Sequence, residues 1–229
     1  MITTVDRHVW LVAHRGDPAH APENTLASFR SAIRKGAKAV EMDVRRTADG
    51  VWVAFHDPTL KRTTGRSGRL NRLPWRDLTR VEAGGEPIPC VSDVLAICRS
   101  KGVEVFLDVK ESHAERTLWR VLQGSKWSRR TRILAGNRAS LVRWRKILPP
   151  HHPLYWVTGF RDSVPERRIR QAQQLRLTGI AATKGQVTSK TVKRIHRAGL
   201  EIYVWTMRTA ADLKRYANLG VDGMMSEVW

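Results

Sequence analysis

Short apolar runs alternate along this chain with longer segments in which apolar residues recur every three or four positions. Residues 9–13, VWLVA, read as a buried strand ending at His14-Arg15-Gly16. After the loop 17–22, Asn24 can cap a helix, NTLASFRSAIRKG, with Leu26, Phe29 and Ile33 on one face and Gly36 as its stop. The next run, 39–44, completes a strand–helix–strand unit, which calls for a parallel sheet. An irregular stretch follows residue 56, and a helix is expected over 91–100. From there the alternation is regular, with strands at 103–109, 132–135, 154–157, 179–183, 201–206 and 221–225. Helices are expected between them at 115–122, 139–148, 165–175, 189–198 and from the Thr209 cap to Gly220. Eight strands alternating with helices close a (β/α)₈ TIM barrel. The expected architecture is therefore one α/β barrel domain spanning 1–229. The competing fold, an open doubly wound sheet, has no GxGxxG or GxxxxGK[ST] loop after the first strand to support it.

One element interrupts the alternation. Residues 40–57, VEMDVRRTADGVWVAFHD, read as a strand, a turn at Asp49-Gly50 and a returning strand, a β-hairpin excursion over the barrel mouth. With a two-residue type I′ loop, Ala48 pairs with Val51 and Asp43 falls opposite His56. Glu41 and Asp43 are two apart and share a face of the strand. Two carboxylates and an imidazole then converge on one spot. Like charges on one face repel unless a cation lies between them, which points to a divalent metal with a histidine beside it. The plainer alternative is a solvated hairpin with ordinary surface charges.

Composition changes the picture little. A hydrophobic content of 41% over 229 residues suits one ordinary globular core. No apolar run approaches the roughly 20 residues of a membrane span. The N-terminal apolar run is too short for a secretory signal, so a cytoplasmic protein is expected. Cys90 and Cys98, eight helical residues and thus about 12 Å apart, are too distant for a disulfide and read as reduced thiols. The net charge of +20 is uneven. No carboxylate occurs between Glu115 and Asp162, a stretch that holds Arg116, Arg120, Lys126, Arg129, Arg130, Arg132, Arg138, Arg143, Arg145, Lys146 and Arg161, interleaved with Trp119, Trp127 and Trp144. This composition offers an aromatic-rimmed surface for weak contact with anionic membranes. The spread of the cations over several elements favours instead a solvated outer layer, and no specific nucleic-acid partner is expected.

In such a barrel the chemistry gathers at the C-terminal ends of the strands. There the chain places His14 and Arg15 after the first strand, Glu41 and Asp43 on the second, Asp108 and Lys110 on the third, and Trp205 on the seventh, with His56 entering from the hairpin. Three carboxylates are hard oxygen ligands suited to Mg²⁺ or Ca²⁺. Arg15 and Lys110 would neutralise a phosphate, and two imidazoles can serve as acid and base. The set asks for metal-assisted cleavage of a phosphate ester.

At these residues the chain resembles the glycerophosphodiester phosphodiesterase family, in its short bacterial form. The resemblance rests on VAHRG (12–16), PENTLASF (22–29), the 40–57 block, FLDVK (106–110), YVWT (203–206) and GVDGMMSE (220–227); from about 111 to 200 only the βα rhythm matches. It implies a hydrolase releasing an alcohol and sn-glycerol 3-phosphate. His14 and His56 would be its acid/base pair, Glu41, Asp43 and Asp108 its divalent-metal ligands, Arg15 and Lys110 its phosphate contacts, and Trp205 a wall of its substrate pocket. Two departures stand out. Asp108 replaces the family's usual Glu, as in sphingomyelinase D-like enzymes, and Ser226-Glu227 replaces a terminal Thr-Asp, read as scaffolding. The other readings are a lysophospholipase D-like or sphingomyelinase D-like activity on lipid phosphodiesters, or a non-catalytic phosphate- or nucleic-acid-binding barrel.

Overall fold

The computed structural model describes residues 9–124, 127–159 and 164–228. Eight parallel strands close on themselves: β1 (Trp10–His14), β2 (Ala39–Arg46), β6 (Glu104–Val109), β7 (Thr131–Ala135), β8 (Leu154–Val157), β9 (Gly179–Thr183), β10 (Glu201–Met207) and β11 (Gly223–Ser226). They follow one another around the barrel in chain order, and β1 pairs with both β11 and β2 to complete the ring. Helices α1 (Leu26–Arg34), α4 (Val91–Ser100), α5 (Glu115–Gly124), α6 (Arg138–Ile147), α7 (Glu166–Gln174), α8 (Ser189–Arg197) and α9 (Ala210–Asn218) connect them. The expected TIM barrel is the observed fold. No helix of the described residues is long and apolar enough to cross a membrane.

Alternation of side chains on each strand divides the apolar residues into two layers. Phe106, Tyr155 and Tyr203, with Val12, Leu134 and Met225, fill the barrel interior. The opposite faces of the strands pack against the helices through a larger cluster that includes Phe29, Val94, Leu118, Trp144 and Ile195. Trp119, Trp127 and Trp144 belong to that cluster and are buried. They therefore do not rim a basic surface; burial of a large aromatic area outweighs the polarity of neighbouring arginines. Lys126 and Arg161 lie outside the described residues.

The short strand β3 (Trp52–Ala54) pairs antiparallel with the upper half of β2, as the hairpin reading requires, but one residue out of the expected register. Arg45 pairs with Val53 and Val44 with Ala54. Thr47 accepts Gly50 N–H at 3.1 Å and donates its own N–H to Val51 O at 2.9 Å, and Gly50 has φ +91°. The loop is thus the three-residue kind closed by a left-handed glycine, which the same Asp-Gly pair satisfies as well as a two-residue turn. Phe55 N–H, not His56, faces Asp43 O, at 3.0 Å.

The irregular 57–90 stretch carries short helical turns α2 (Lys61–Thr64) and α3 (Trp75–Leu78) and a two-stranded ladder, β4 (Glu82–Ala83) with β5 (Glu86–Pro87). Val53, Phe55, Leu60, Leu70, Leu78 and Ile88 form a separate small core beneath the hairpin. Its effect is to fix the end of β3, from which His56 departs.

Candidate active site

Parallel register assembles the site. His14 on β1 lies beside Glu41 on β2, and Asp43 on β2 lies beside Asp108 on β6. One ligand oxygen from each of Glu41, Asp43 and Asp108 falls within 4.8 Å of the others. A cavity of about 640 Å³ opens above them, lined by all eight residues singled out in the sequence: His14, Arg15, Glu41, Asp43, His56, Asp108, Lys110 and Trp205.

The chain beyond β1 is shaped for this site. Arg15 (φ +57°) and Gly16 (φ +89°) both adopt left-handed backbone, and a Cβ at Gly16 would lie 2.4 Å from Ser28 Oγ, so only glycine fits. The turn aims Arg15 N–H at Glu41 Oε2, 3.1 Å away, and brings Arg15 Nε within 2.9 Å of Asp43 Oδ2. Asn24 does not cap α1. Thr25 does, accepting Ser28 N–H at 3.2 Å, while Asn24 (φ +59°) reaches Asp43. Its Nδ2 donates to Asp43 Oδ2 at 2.9 Å, and its Oδ1 accepts Asp43 N–H at 3.2 Å.

The charges are unequally compensated. Burial works to raise the Asp43 pKa, but Lys110 Nζ at 2.9 Å and the Arg15 guanidinium hold it far below the usual carboxylate range. Lys110 also bonds Asp108. Burial lowers the Lys110 pKa, and Asp108 and Asp43 more than reverse this, so its ammonium stays charged. Glu41 has neither cation within ion-pair reach. Burial, then the charges of Asp43 and Asp108, push its pKa well above the ordinary value. Three clustered carboxylates thus face two permanent cations, and the donor set is all oxygen. This fits a hard divalent cation, which would relieve the strain on ionised Glu41.

Each histidine has a carboxylate behind it. His14 Nδ1 lies 3.2 Å from Glu227 Oε1, and Arg208 Nε donates to Glu227 Oε2 at 2.9 Å. His56 Nδ1 bonds Asp57, whose other oxygen accepts from Arg62 Nε. Arg62 in turn bonds both oxygens of Glu23, which also accepts from Arg15. His14 is 7% exposed, not at an open rim as its place at a strand end suggests; burial lowers its pKa against the opposing pull of Glu227. His56 is partly exposed, and its carbonyl accepts from Arg45 Nε at 2.7 Å.

Sequence reasoning missed Asn24, Asp57 and Arg62 and took Glu227 for scaffolding. Asp57 directly follows His56, so adjacency alone could have suggested it. Glu227 meets its histidine across 213 residues, and no local signal points to the pair.

Comparison with known proteins identifies the family and the fold. Residues 14–228 match the Glycerophosphoryl diester phosphodiesterase family. A glycerophosphodiester phosphodiesterase of Caldanaerobacter subterraneus subsp. tengcongensis is 27% identical over 95% of this chain and 93% of its own. Among solved structures, a phosphodiesterase of Oleispira antarctica in complex with the product sn-glycerol-3-phosphate superposes with a TM-score of 0.85 at 27% identity, covering 95% of this chain and 92% of that one. A glycerophosphodiester phosphodiesterase from Agrobacterium tumefaciens shares the fold, with a TM-score of 0.81 at 23% identity over 96% of each chain. The chain is an enzyme of the glycerophosphoryl diester phosphodiesterase family.

Proposed function

We propose that residues 1–229 act as one catalytic domain that hydrolyses glycerophosphodiesters to an alcohol and sn-glycerol 3-phosphate. Glu41, Asp43 and Asp108 would hold a divalent cation, Mg²⁺ or Ca²⁺. The observation that carries this reading is the carboxylate trio on two adjacent strands, with an imidazole on either side of the same cavity. When bound, the cation supplies Lewis-acid stabilisation of charge on the phosphoryl oxygens.

The chain's own groups do the rest. Lys110 and Arg15 bring positive charge to the phosphate, and Trp205 forms an apolar wall for the polyol. One histidine takes the proton of the nucleophile, either water or the substrate's neighbouring hydroxyl. The other protonates the departing alkoxide. A carboxylate at Nδ1 holds each imidazole with Nε2 towards the cavity; the base starts with Nε2 unprotonated, whereas the acid starts with a proton on Nε2 as well and gives that proton to the departing alkoxide. Free Cys90 and Cys98, whose thiol pKa values burial raises to about 11 and about 12, take no part in this chemistry.

The test is hydrolysis of glycerophosphocholine and of a lysophospholipid, each with Mg²⁺, Ca²⁺ or EDTA. Release of glycerol 3-phosphate that EDTA abolishes supports the reading. Cleavage of the lysophospholipid alone would transfer it to a lipid phosphodiesterase, and undiminished cleavage in EDTA would remove the metal from it.

A further inference from the structure

Beside the catalytic cavity lies a second, smaller one of about 240 Å³, between the start of α5 and the flank of α6. Its lining includes His113, Arg116, Arg143 and Lys146. The two cavities share a wall. Ser112 and Ser140 line the larger, His113 and Arg143 the smaller, and buried Glu115 joins them. Glu115 Oε1 accepts from Ser140 Oγ at 2.8 Å on one side and from Arg143 Nε at 2.8 Å on the other.

Glu115 is the one carboxylate of this notch, and it is already paired with Arg143. Arg116 and Lys146 are exposed and meet no carboxylate among the described residues. Three permanent cations therefore face a single negative charge, in a concave space large enough for a phosphate group. Two other cations of this stretch are committed elsewhere. Arg132 pairs with Glu104 at 2.9 Å, and Arg145 bonds the carbonyls of Pro149, His152 and Arg176. In the notch, Arg116 and Lys146 bring positive charge that no carboxylate among the described residues pairs with close to the catalytic cavity.

Its distance from that centre is bounded by the chain. His113 follows Lys110 by three residues, so their Cα atoms are at most about 11 Å apart. A molecule whose reacting phosphate lies at Lys110 can place a second phosphate, one polyol further on, across the Ser112–Ser140 saddle.

We propose that this notch is a second phosphate subsite, and that the enzyme takes glycerophosphodiesters whose alcohol carries a further phosphate. The inference rests on the phosphodiesterase reading above and adds the substrate class. Arg116 and Arg143 would grip the distal phosphate through guanidinium N–H donors, with Lys146 as a mobile point charge.

The experiment compares glycerophosphoglycerol, with one phosphate, and bis(glycerophospho)glycerol, with two, each rate being counted per scissile linkage because the second substrate has two. Wild type should show a kcat/KM ratio of about tenfold or more in favour of the two-phosphate substrate, the scale of a charge-assisted hydrogen bond. Arg116→Ala and Lys146→Ala, both at exposed side chains, should each bring the ratio towards one, mainly through KM. Raising the salt concentration should do the same. A wild-type ratio of one, or a ratio that survives both substitutions, overturns the proposal. So does a retained ratio with weaker binding to phosphatidylglycerol vesicles, which would make the notch a lipid contact. If wild type cleaves neither substrate, the phosphodiesterase reading itself fails, and this inference falls with it.

Discussion

His14 and Glu227 stand at the two ends of the chain and meet through an Nδ1···Oε1 contact of 3.2 Å. The contact holds the buried imidazole with Nε2 towards Glu41, 3.9 Å away. Burial, with the Arg15 charge, opposes a positive charge on His14, and the Glu227 carboxylate offsets part of that cost. Glu227 is itself well prepared. The bond from His14 first, and then Arg208 against the opposing effect of burial, lower its pKa to about 2, so it remains an acceptor throughout the working range.

Glu227→Gln keeps the shape but weakens the hold on the His14 Nδ1 proton. Turnover should fall roughly 10–100-fold, the scale for removing a group that orients an active-site histidine. Glu227→Asp, one methylene shorter, should recover part of it. Steady-state kinetics of the two variants measure this, and equal, wild-type kcat values for both would remove Glu227 from the reaction.

The histidines themselves should differ in what their loss does to the fold. His14→Ala and His56→Ala should each slow turnover by about 10²–10⁴-fold. His56 is partly exposed, and its removal should leave the melting temperature unchanged. His14 is buried between Glu41 and Glu227, so its removal leaves a cavity and two poorly compensated carboxylates. His14→Ala should therefore melt earlier than His56→Ala at pH 7, by thermal unfolding monitored with circular dichroism.

Those two histidines were both legible in the sequence, for different reasons. His14 terminates an apolar run, and strand ends are where a barrel collects its chemistry. His56 followed from the hairpin, even though the register was one residue off. The error was harmless because the chain leaves the strand after Ala54, and Arg45 holds the His56 carbonyl in place. Local pattern also fixed α4 at Val91–Ser100 and β9 at Gly179–Thr183 as expected. What local pattern does not contain is a choice between two equally good local solutions. Asn24 and Thr25 are both competent caps, and tertiary demand at Asp43 decides that Asn24 is used elsewhere. Runs of arginine hide the short helical apolar faces that bury Trp119 and Trp144, so the aromatic rim, the less favoured of the two surface readings, does not form.

A second acid-sensitive group lies away from the active site. His152 is 7% exposed, its ring meets Trp119 edge-on at 5.1 Å, and its Nε2 has no hydrogen-bond partner among the described residues. Burial, then Arg145 and Arg132, lower its pKa to about 4. The folded state therefore favours the neutral ring. That contribution is fully present above the unfolded value near 6.5 and is lost as pH falls from there towards 4. Between pH 7 and pH 5 the linkage amounts to about 2 kcal/mol. His152→Phe keeps the ring packing and removes the titration, so its stability should fall by about 2 kcal/mol less than that of wild type over this interval. Urea unfolding of both proteins at pH 7 and pH 5 provides the comparison, and parallel losses would show that His152 does not set the acid limb.

Asp108 gives the sharpest test of the metal site. It is the least buried of the three clustered carboxylates, and it is paired with Lys110. Asp108→Asn removes one negative charge at nearly constant volume. If Asp108 is a ligand, the metal concentration giving half-maximal activity should rise, and activity should return as metal is added. Asp108→Glu restores the residue usual in the family and should keep metal binding while changing the preference between ions. Mg²⁺ demands near-ideal octahedral geometry at about 2.0–2.1 Å, whereas Ca²⁺ accepts longer and looser shells, so an added methylene is felt differently by each. A carboxylate that only anchored Lys110 would behave otherwise: Asn would lower thermal stability and free the lysine, with no change in the metal midpoint. Titrating Mg²⁺ and Ca²⁺ against activity for wild type and both variants, alongside melting curves, separates these outcomes. A midpoint unmoved in Asp108→Asn would leave Glu41 and Asp43 as the carboxylate ligands and make Asp108 the counter-ion of Lys110.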